Sequence, residues 1–256
     1  MHRFLSYLLM LALMGPTLAQ AEKITIAAAA DLKFAMDEVI ATFSKTHPGN
    51  EVSAVYGSSG NFQTQIRNGA PYDLYFSADI NYPRALVSDG LAASAVKPYA
   101  VGRIVIWSAS QDARQMTLGD LAAPSITRIA IANPQHAPYG KRAEEALKAS
   151  GLWDKIQSKL VFGENVGQAA QYVSTGNAQV GIIALSLAVS PALSSKGGYA
   201  LVPDTLHGPL EQGYVITKRA ASNPLAKQFA DYLGSPAARS VMVRYGFVLP
   251  GDAIAR

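Results

Sequence analysis

Two adjacent serines, flanked by glycines, are the side chains of this sequence best suited to bind or transform a small molecule. Ser58 and Ser59 follow a strand-like segment (residues 52–56) and precede a helical one (residues 62–68). Glycine lets a ligand approach the backbone closely, the hydroxyls add donors, and the first turn of a helix has unpaired N–H groups at the positive end of its dipole. The turn therefore predicts a site that binds an anion without Lys or Arg side chains.

Two later turns of the same kind offer further donors. Residues 133–140 lead from a strand-like segment into a helix, and Tyr139 in this loop carries a phenolic O–H. Residues 163–167 precede another helix, where Val166 can offer only its backbone N–H. In open α/β sheets, ligands bind beyond the carboxyl ends of the strands, where helices begin. These turns and the serine turn are therefore the places where a ligand is expected.

A serine hydrolase is the chief catalytic alternative, because a serine exposed on a turn after a strand also resembles a nucleophile elbow. That elbow needs Gly-x-Ser-x-Gly, and the fifth place counted from Gly57 is Asn61. The histidines that could act as a base, His47, His136 and His207, lie far apart in the sequence and none has a recognisable partner. No catalytic residue is therefore assigned, and the chain is not expected to be an enzyme.

Composition argues against several other classes of protein. The 256 residues include no Cys, which excludes disulfides, thiolate metal sites and a cysteine nucleophile. The formal charge of +4 comes from 22 Lys and Arg scattered among 18 Asp and Glu, without the basic cluster and interleaved aromatics of a nucleic-acid surface. Neither a His-x-x-x-His pair nor a dense set of carboxylates is visible, so no metal cation and no cofactor is expected.

Segments that alternate between strand and helix must position these turns. Buried strand-like runs are followed by stretches with apolar residues at helical spacing, and the strand-like runs are residues 24–30, 52–56, 74–77, 129–132 and 180–184. Such alternation predicts an α/β fold of mainly parallel sheets flanked by helices. The stretch 97–103 separates two groups of these units. We therefore expect two lobes, residues 22–100 with 211–256 in lobe I and residues 101–210 in lobe II.

The N-terminus has the composition of an export signal. Residues 1–21 begin with His2 and Arg3, continue through an apolar run at residues 4–13, and end in Ala-Gln-Ala. This order is typical of a cleaved secretory signal, and the apolar run is shorter than the roughly 20 residues that a spanning helix needs. The mature protein is expected to begin near Glu22 and to act in the periplasm.

Six segments, in order along the mature chain, resemble the periplasmic molybdate-binding proteins of ABC transporters. They are Ala-Ala-Ala-Asp-Leu (28–32), Tyr-Gly-Ser-Ser-Gly (56–60), Gly-Ala-Pro-Tyr-Asp-Leu-Tyr-Phe-Ser-Ala-Asp (69–79), Asn-Pro-Gln-His-Ala-Pro-Tyr-Gly (133–140), Gly-Glu-Asn-Val-Gly-Gln (163–168) and Arg-Tyr-Gly-Phe (244–247). The resemblance implies a two-lobed periplasmic-binding-protein fold with the ligand cleft between the lobes. It also implies that a membrane permease is the partner and that molybdate or tungstate is the ligand. The protein is expected to be a monomer.

The same resemblance implies which residues form the ligand shell. Carried over by position, the shell contains Ala30 and Asp31 from the first turn and Ser59 with Ser58 from the second, while Tyr139 and the Val166 backbone lie across the cleft.

Two positions depart from the family pattern. Family members often have Ser or another neutral polar residue in place of Asp31, and some have Tyr in place of Ala184. A carboxylate beside a dianion is costly, since two unit charges about 4 Å apart repel by roughly 4 kcal/mol at an effective dielectric near 20. We therefore expect the Asp31 oxygens to point away and to cap the helix that follows. Tyr139 is expected to replace the hydroxyl missing at Ala184. Another oxyanion, or a small organic or cationic solute, remains the alternative ligand.

Overall fold

The computed structural model of the protein describes residues 22–252. The predicted export signal, residues 1–21, and residues 253–256 lie outside the described residues.

The strands are short and form two five-stranded sheets, in which the inner strands are mostly buried and the edge strands are partly exposed. In chain order they are β1 (Lys23–Ala29), β2 (Glu51–Gly57), β3 (Leu74–Ser77), β4 (Lys97–Gly102), β5 (Ile104–Ser108), β6 (Ile129–Ala132), β7 (Leu160–Gly163), β8 (Val180–Ala184), β9 (Gly198–Leu201) and β10 (Leu210–Ile216). The first sheet has the order β2-β1-β3-β10-β4, and the second has the order β7-β6-β8-β5-β9.

Four of the five strands in each sheet run in the same direction. In the first sheet β2, β1 and β3 are parallel, β10 is antiparallel to β3, and β4 is antiparallel to β10. The second sheet repeats this pattern, with β5 as its one reversed strand between β8 and β9. The predicted two-lobed α/β fold with mainly parallel sheets is confirmed.

The described part of the chain has ten α-helices, of which the first eight lie between strands and the last two follow β10. They are α1 (Lys33–Thr46), α2 (Ser59–Arg67), α3 (Asn81–Ser88), α4 (Pro138–Ala149), α5 (Trp153–Ile156), α6 (Val166–Ser174), α7 (Leu185–Ala188), α8 (Pro191–Ser194), α9 (Pro224–Tyr232) and α10 (Pro236–Arg244). A 3₁₀ turn, Ala30–Leu32, stands between β1 and α1.

Two of these helices begin earlier than the sequence pattern predicts. The serine turn is the start of α2 itself, because the Ser58 hydroxyl caps the helix by accepting from the Asn61 N–H. Likewise α4 begins at Pro138, whose fixed φ suits the first helical position, so Tyr139 lies in the first turn of the helix rather than in a loop. In both cases the residues with hydroxyl donors lie nearer to the positive, N-terminal end of the helix than the sequence pattern predicts.

Each sheet is covered by its own apolar core. In the first sheet, Phe76 packs on one face with Phe43 and Phe229, while Tyr75 packs on the other face with Phe62. The core of the second sheet includes the fully buried Trp107 and extends to Ala29, Ala30 and Ala78 of the first. The two sheets are therefore in direct contact near the ends of β1 and β3.

The chain passes between the sheets at two neighbouring places. It leaves the first sheet after β4 and enters β5 at Ile104, and it returns through residues 202–209 to β10, which is paired with β4. Because β4 and β10 are adjacent, the two connections lie side by side. This arrangement suits a hinge, since few dihedral angles have to change for one sheet to move relative to the other.

Candidate functional site

The four strand-to-helix turns meet in a small cavity between the sheets. The ends of β1 and β2 are neighbours in the first sheet, with Ala29 opposite Gly57, and the ends of β6 and β7 are neighbours in the second, with Ala132 opposite Gly163. All six residues expected from the sequence line this cavity, together with six more, namely Ala29, Gly57, Ala78, Ala137, Pro138 and Asn165. Its volume of about 10 Å³ is the room of roughly one water molecule, so a tetrahedral oxyanion must push the walls apart.

Ser59 has a hydroxyl proton to offer the cavity. Its Oγ accepts a hydrogen bond from the Ala78 N–H at 3.0 Å, and its carbonyl accepts one from the Tyr75 hydroxyl at 2.7 Å. Because a serine hydroxyl can donate as well as accept, these contacts fix the side chain and leave its proton available. Ser59 is completely buried, as a residue facing an enclosed ligand should be.

Ser58 uses its hydroxyl differently. Its Oγ accepts from the Asn61 N–H at 3.3 Å and donates to the carbonyl oxygen of His136 in the opposite lobe at 2.8 Å. The Gly60 N–H donates to the same carbonyl at 3.0 Å. Ser58 therefore caps α2 and joins the lobes, and its proton is directed to His136 instead of the cavity.

Asp31 does not cap the following helix, so that prediction is wrong. Neither the 3₁₀ turn that contains it nor α1 has a side-chain cap. The Oδ2 atom of Asp31 instead accepts from the Tyr139 hydroxyl at 2.9 Å and from the Gln212 amide at 2.8 Å, and its Oδ1 atom is buried without a partner. Burial raises the pKa of this carboxyl to about 6, although donors that stabilise the carboxylate oppose the shift: the side chains of Gln212 and Tyr139 and, more weakly, the nearby backbone N–H groups of Asp31 and Leu32.

Tyr139 is held in place by this carboxyl. Its hydroxyl donates to Asp31 and accepts from Gln212 at 3.1 Å, and burial followed by the charge of Asp31 keeps its pKa well above 10. Gly102 lies against the hydroxyl, since a Cβ there would lie 2.2 Å from the phenolic oxygen. The expected donation from Tyr139 to a ligand therefore competes with the hydrogen bond to Asp31.

Val166 stands at the start of α6. The preceding Asn165 caps the helix by accepting from the Gln168 N–H at 3.0 Å. The amides of the first helical turn have no acceptor within the helix, so the Val166 N–H is available to an anion in the cavity. Val166 can therefore offer only a backbone donor, since its side chain has none.

A family comparison agrees with this geometry. The model of the family described as "Bacterial extracellular solute-binding protein" matches residues 24–248, nearly the whole described chain. The protein belongs to this family.

Several relatives of this solute-binding protein are named for one ligand. It is 36% identical over 232 residues to molybdate-binding protein ModA of Azotobacter vinelandii (90% of this chain, 92% of the relative) and equally identical to ModA of Rhodobacter capsulatus (90% of each chain). The solved structure of the periplasmic molybdate-binding protein of A. vinelandii superimposes with a TM-score of 0.83 at 34% identity, covering 89% of this chain and 99% of that one. The resemblance that the sequence motifs indicated is confirmed.

Gln212 is a site residue that the sequence patterns did not identify, and it links the site of this solute-binding protein to β10. The residue is fully buried on β10, next to the point where the chain returns from the second sheet, and it reaches both Asp31 and Tyr139. The sequence contains one hint of its role, which is a glutamine in a strand whose other residues, except Glu211, are apolar or glycine. Its partners lie 181 and 73 residues away, so no local pattern could identify them.

The contact between Ser58 and His136 superficially resembles a nucleophile and its base. The Ser58 Oγ lies 2.9 Å from Nδ1 of His136, whose Nε2 is 3.7 Å from the carboxylate of Glu164. The serine proton, however, can point to only one acceptor, and the His136 carbonyl is the nearer one at 2.8 Å. A serine that donates its proton to a carbonyl is not activated by the imidazole, so we interpret the contact as a closure between the lobes.

The described residues give no support to a metal site or a membrane-spanning helix. Between residues 22 and 252, no three His, Asp or Glu side chains are grouped so that they could hold a metal ion. No helix in that range is both long and apolar enough to cross a membrane.

Proposed function

We propose that the protein captures molybdate between its two lobes and delivers it to the membrane permease of an ABC transporter, with tungstate as a second ligand. The observation that carries this proposal is the set of donors around the cavity. Helix first turns from both lobes and the Ser59 hydroxyl surround it, and no Lys, Arg or His side chain is among its lining residues. The relatives named for molybdate binding, similar along nine-tenths of the chain, support the choice of oxyanion.

The ligand shell in this proposal consists of six residues with different roles. Backbone N–H groups of Ala30, Asp31 and Val166 and the Ser59 hydroxyl donate directly. Ser58 closes the lobes through His136, and Tyr139 reaches the ligand through its contact with Asp31. Several charge-assisted hydrogen bonds can supply the about −8 kcal/mol of a micromolar complex after the costs of association.

The lobes in this proposal are residues 22–100 with 211–256 and residues 101–210. The strand composition of the two sheets supports this division to within two residues, because Val101, Gly102 and Leu210 still pair in the first sheet. We also propose export by a cleaved signal in residues 1–21, action as a monomer in the periplasm, and opening at the two connections beside β4 and β10.

Neutralising the ligand by dipoles, without a cationic side chain, suits a protein that must release its cargo. Dipoles are fixed to the helices, so separating the lobes withdraws the Val166 N–H and the dipole of α6 from the ligand in one movement. The experiment that tests the function is a calorimetric titration of the purified protein with molybdate, tungstate, sulfate, phosphate and chromate. Binding of molybdate and tungstate with no heat from sulfate is the expected result. If none of these oxyanions binds, the proposal is wrong and an organic or cationic solute becomes the expected ligand.

A further inference from the structure

Asp31 is a buried carboxyl group in the cavity wall that no cation neutralises. The ion pairs within residues 22–252 do not include it, and the nearby ammonium of Lys33 is bonded to Asp37 and lies over the ring of Tyr56. Helices α6 and α7, which pack against the turn, contain no charged residue. The phenols that face Asp31, Tyr99 and Tyr139, both have pKa values well above 10 and are neutral.

The two oxygens of this carboxyl are not equivalent. Oδ2 is held by two donors from different parts of the fold, the Tyr139 hydroxyl on α4 and the Gln212 amide on β10. Oδ1 is equally buried and has no partner. Since Asp31 lines the cavity, Oδ1 is its side-chain atom with hydrogen-bonding capacity left for a ligand. An ionised Oδ1 could only repel an oxyanion, whereas a protonated Oδ1 would donate to it.

We infer that the protein takes up one proton together with the oxyanion, so that Asp31 becomes a neutral acid whose Oδ1 hydroxyl donates a hydrogen bond to the ligand. This inference rests on the proposed function of the cavity. One O–H bond forms at Oδ1 with a proton from solvent, and no bond of the oxyanion breaks. Tyr139 and Gln212 act as positioning residues, because their hydrogen bonds to Oδ2 direct the proton to the other oxygen.

The free and the bound protein differ in the charge next to Asp31. Burial already raises the pKa of the carboxyl to about 6, and a dianion at hydrogen-bond distance raises it further. Between about pH 6 and the higher pKa of the complex, the free protein therefore carries an ionised Asp31 and the complex a protonated one. Binding consumes one proton in this range, and the affinity falls by about tenfold for each pH unit of increase.

The test is a count of protons during calorimetric titration of the wild-type protein with sodium molybdate. At about pH 8 the titration is repeated in buffers with different enthalpies of ionisation, and the dependence of the observed heat on the buffer gives the number of protons. We expect about one proton taken up at this pH and almost none at about pH 5, where Asp31 is protonated before the ligand arrives. Molybdate is fully ionised at the higher pH and cannot bring the proton itself.

Failure of the proposed function and failure of this inference would give different results. Absence of heat with molybdate at either pH would contradict the proposed function. Clear binding at about pH 8 without proton uptake would overturn the inference alone, since the carboxylate would then accept the oxyanion in its ionised form.

Two variants locate the proton. Asp31→Asn keeps a neutral oxygen for Tyr139 and Gln212 but cannot gain a proton, so its proton uptake should vanish and its affinity should stay constant between about pH 7 and 8.5. Asp154→Asn is the control, because Asp154 is an exposed carboxyl of lobe II that none of the ion pairs within residues 22–252 includes. It should keep the wild-type uptake. Uptake that persists in Asp31→Asn, or disappears in Asp154→Asn, would overturn the assignment to Asp31.

Discussion

Ser58 and Ser59 are neighbours in the chain with separate tasks, and single substitutions can tell these apart. Ser59→Ala removes a hydroxyl whose proton is free for the ligand, and a hydrogen bond to a charged group contributes about 1.5–3 kcal/mol. We expect its affinity for molybdate to fall by roughly tenfold to a hundredfold, measured by calorimetry. Ser58→Ala is the matched control. It removes the cap of α2, which costs about 0.5–2 kcal/mol of folding stability, and should weaken binding less. A larger loss of affinity in Ser58→Ala would contradict this division of roles.

Asp31 also affects the stability of the ligand-free protein. Its pKa rises from 3.8 in the unfolded chain to about 6 in the folded protein, so the folded state binds more protons between these values and loses stability as pH rises through them. At one pKa unit per about 1.4 kcal/mol, the ionised carboxyl costs on the order of 3 kcal/mol at neutral pH. Asp31→Asn removes this cost, because the amide is neutral at every pH.

Urea unfolding at two pH values checks this prediction. At about pH 7.5 the variant should be the more stable protein by up to about 3 kcal/mol, and at about pH 4 the two should be nearly equal. Asp154→Asn, at an exposed position that none of the ion pairs within residues 22–252 includes, should match the wild type at both to within about 0.5 kcal/mol. Equal stability of Asp31→Asn and wild type at about pH 7.5 would show that the native site accommodates the ionised carboxyl without cost.

At the scale of elements, α2 and the loop before α4 form the contact that closes the cleft. Gly60 in the first turn of α2 lies so near this loop that an added Cβ would be 2.8 Å from the His136 carbonyl oxygen and 3.1 Å from its Cα. Gly60→Ala should therefore hold the lobes apart, while the helix itself gains about 1 kcal/mol from the replacement of glycine. Affinity for molybdate should fall at least about tenfold with no loss of melting temperature in the ligand-free protein.

A glycine in open surroundings is the control for Gly60→Ala. Gly119 lies in the 3₁₀ helix Leu118–Ala122, where the nearest atom to an added Cβ is 3.5 Å away. Gly119→Ala should leave affinity unchanged. If Gly60→Ala binds molybdate as tightly as the wild type, the contact with His136 does not limit closure.

Elements and their order could be predicted from the sequence, whereas contacts between them could not. Apolar periodicity located β8 to the residue, and the resemblance of the turns brought Ala30, Ser59, Tyr139 and Val166 to one place. The role of Asp31 was predicted wrongly, because a carboxyl at the start of a helix is commonly a cap and nothing local announces Gln212. Hydrogen bonds between residues more than a hundred positions apart depend on how the lobes pack, and a single sequence contains no record of that.

For the whole molecule, a ligand that binds only the closed native state must raise its melting temperature. At a free concentration of one hundred times the dissociation constant, the stabilisation is about 2.7 kcal/mol by mass action. For a chain of this size, 1 kcal/mol corresponds to about 2–4 °C, so molybdate should raise the melting temperature by roughly 5–11 °C. Differential scanning calorimetry measures this shift directly.

Sulfate at the same concentration decides whether the cavity selects by size. It has the charge and shape of molybdate but shorter bonds, so donors held by two rigid lobes cannot all reach its oxygens at once. We expect little or no shift with sulfate. An equal shift would mean that the lobes close further around the smaller ion, and selection would then have to lie in the permease. A shift with molybdate that is lost in Gly60→Ala, while sulfate stays without effect in both proteins, would tie the selection to full closure of the cleft.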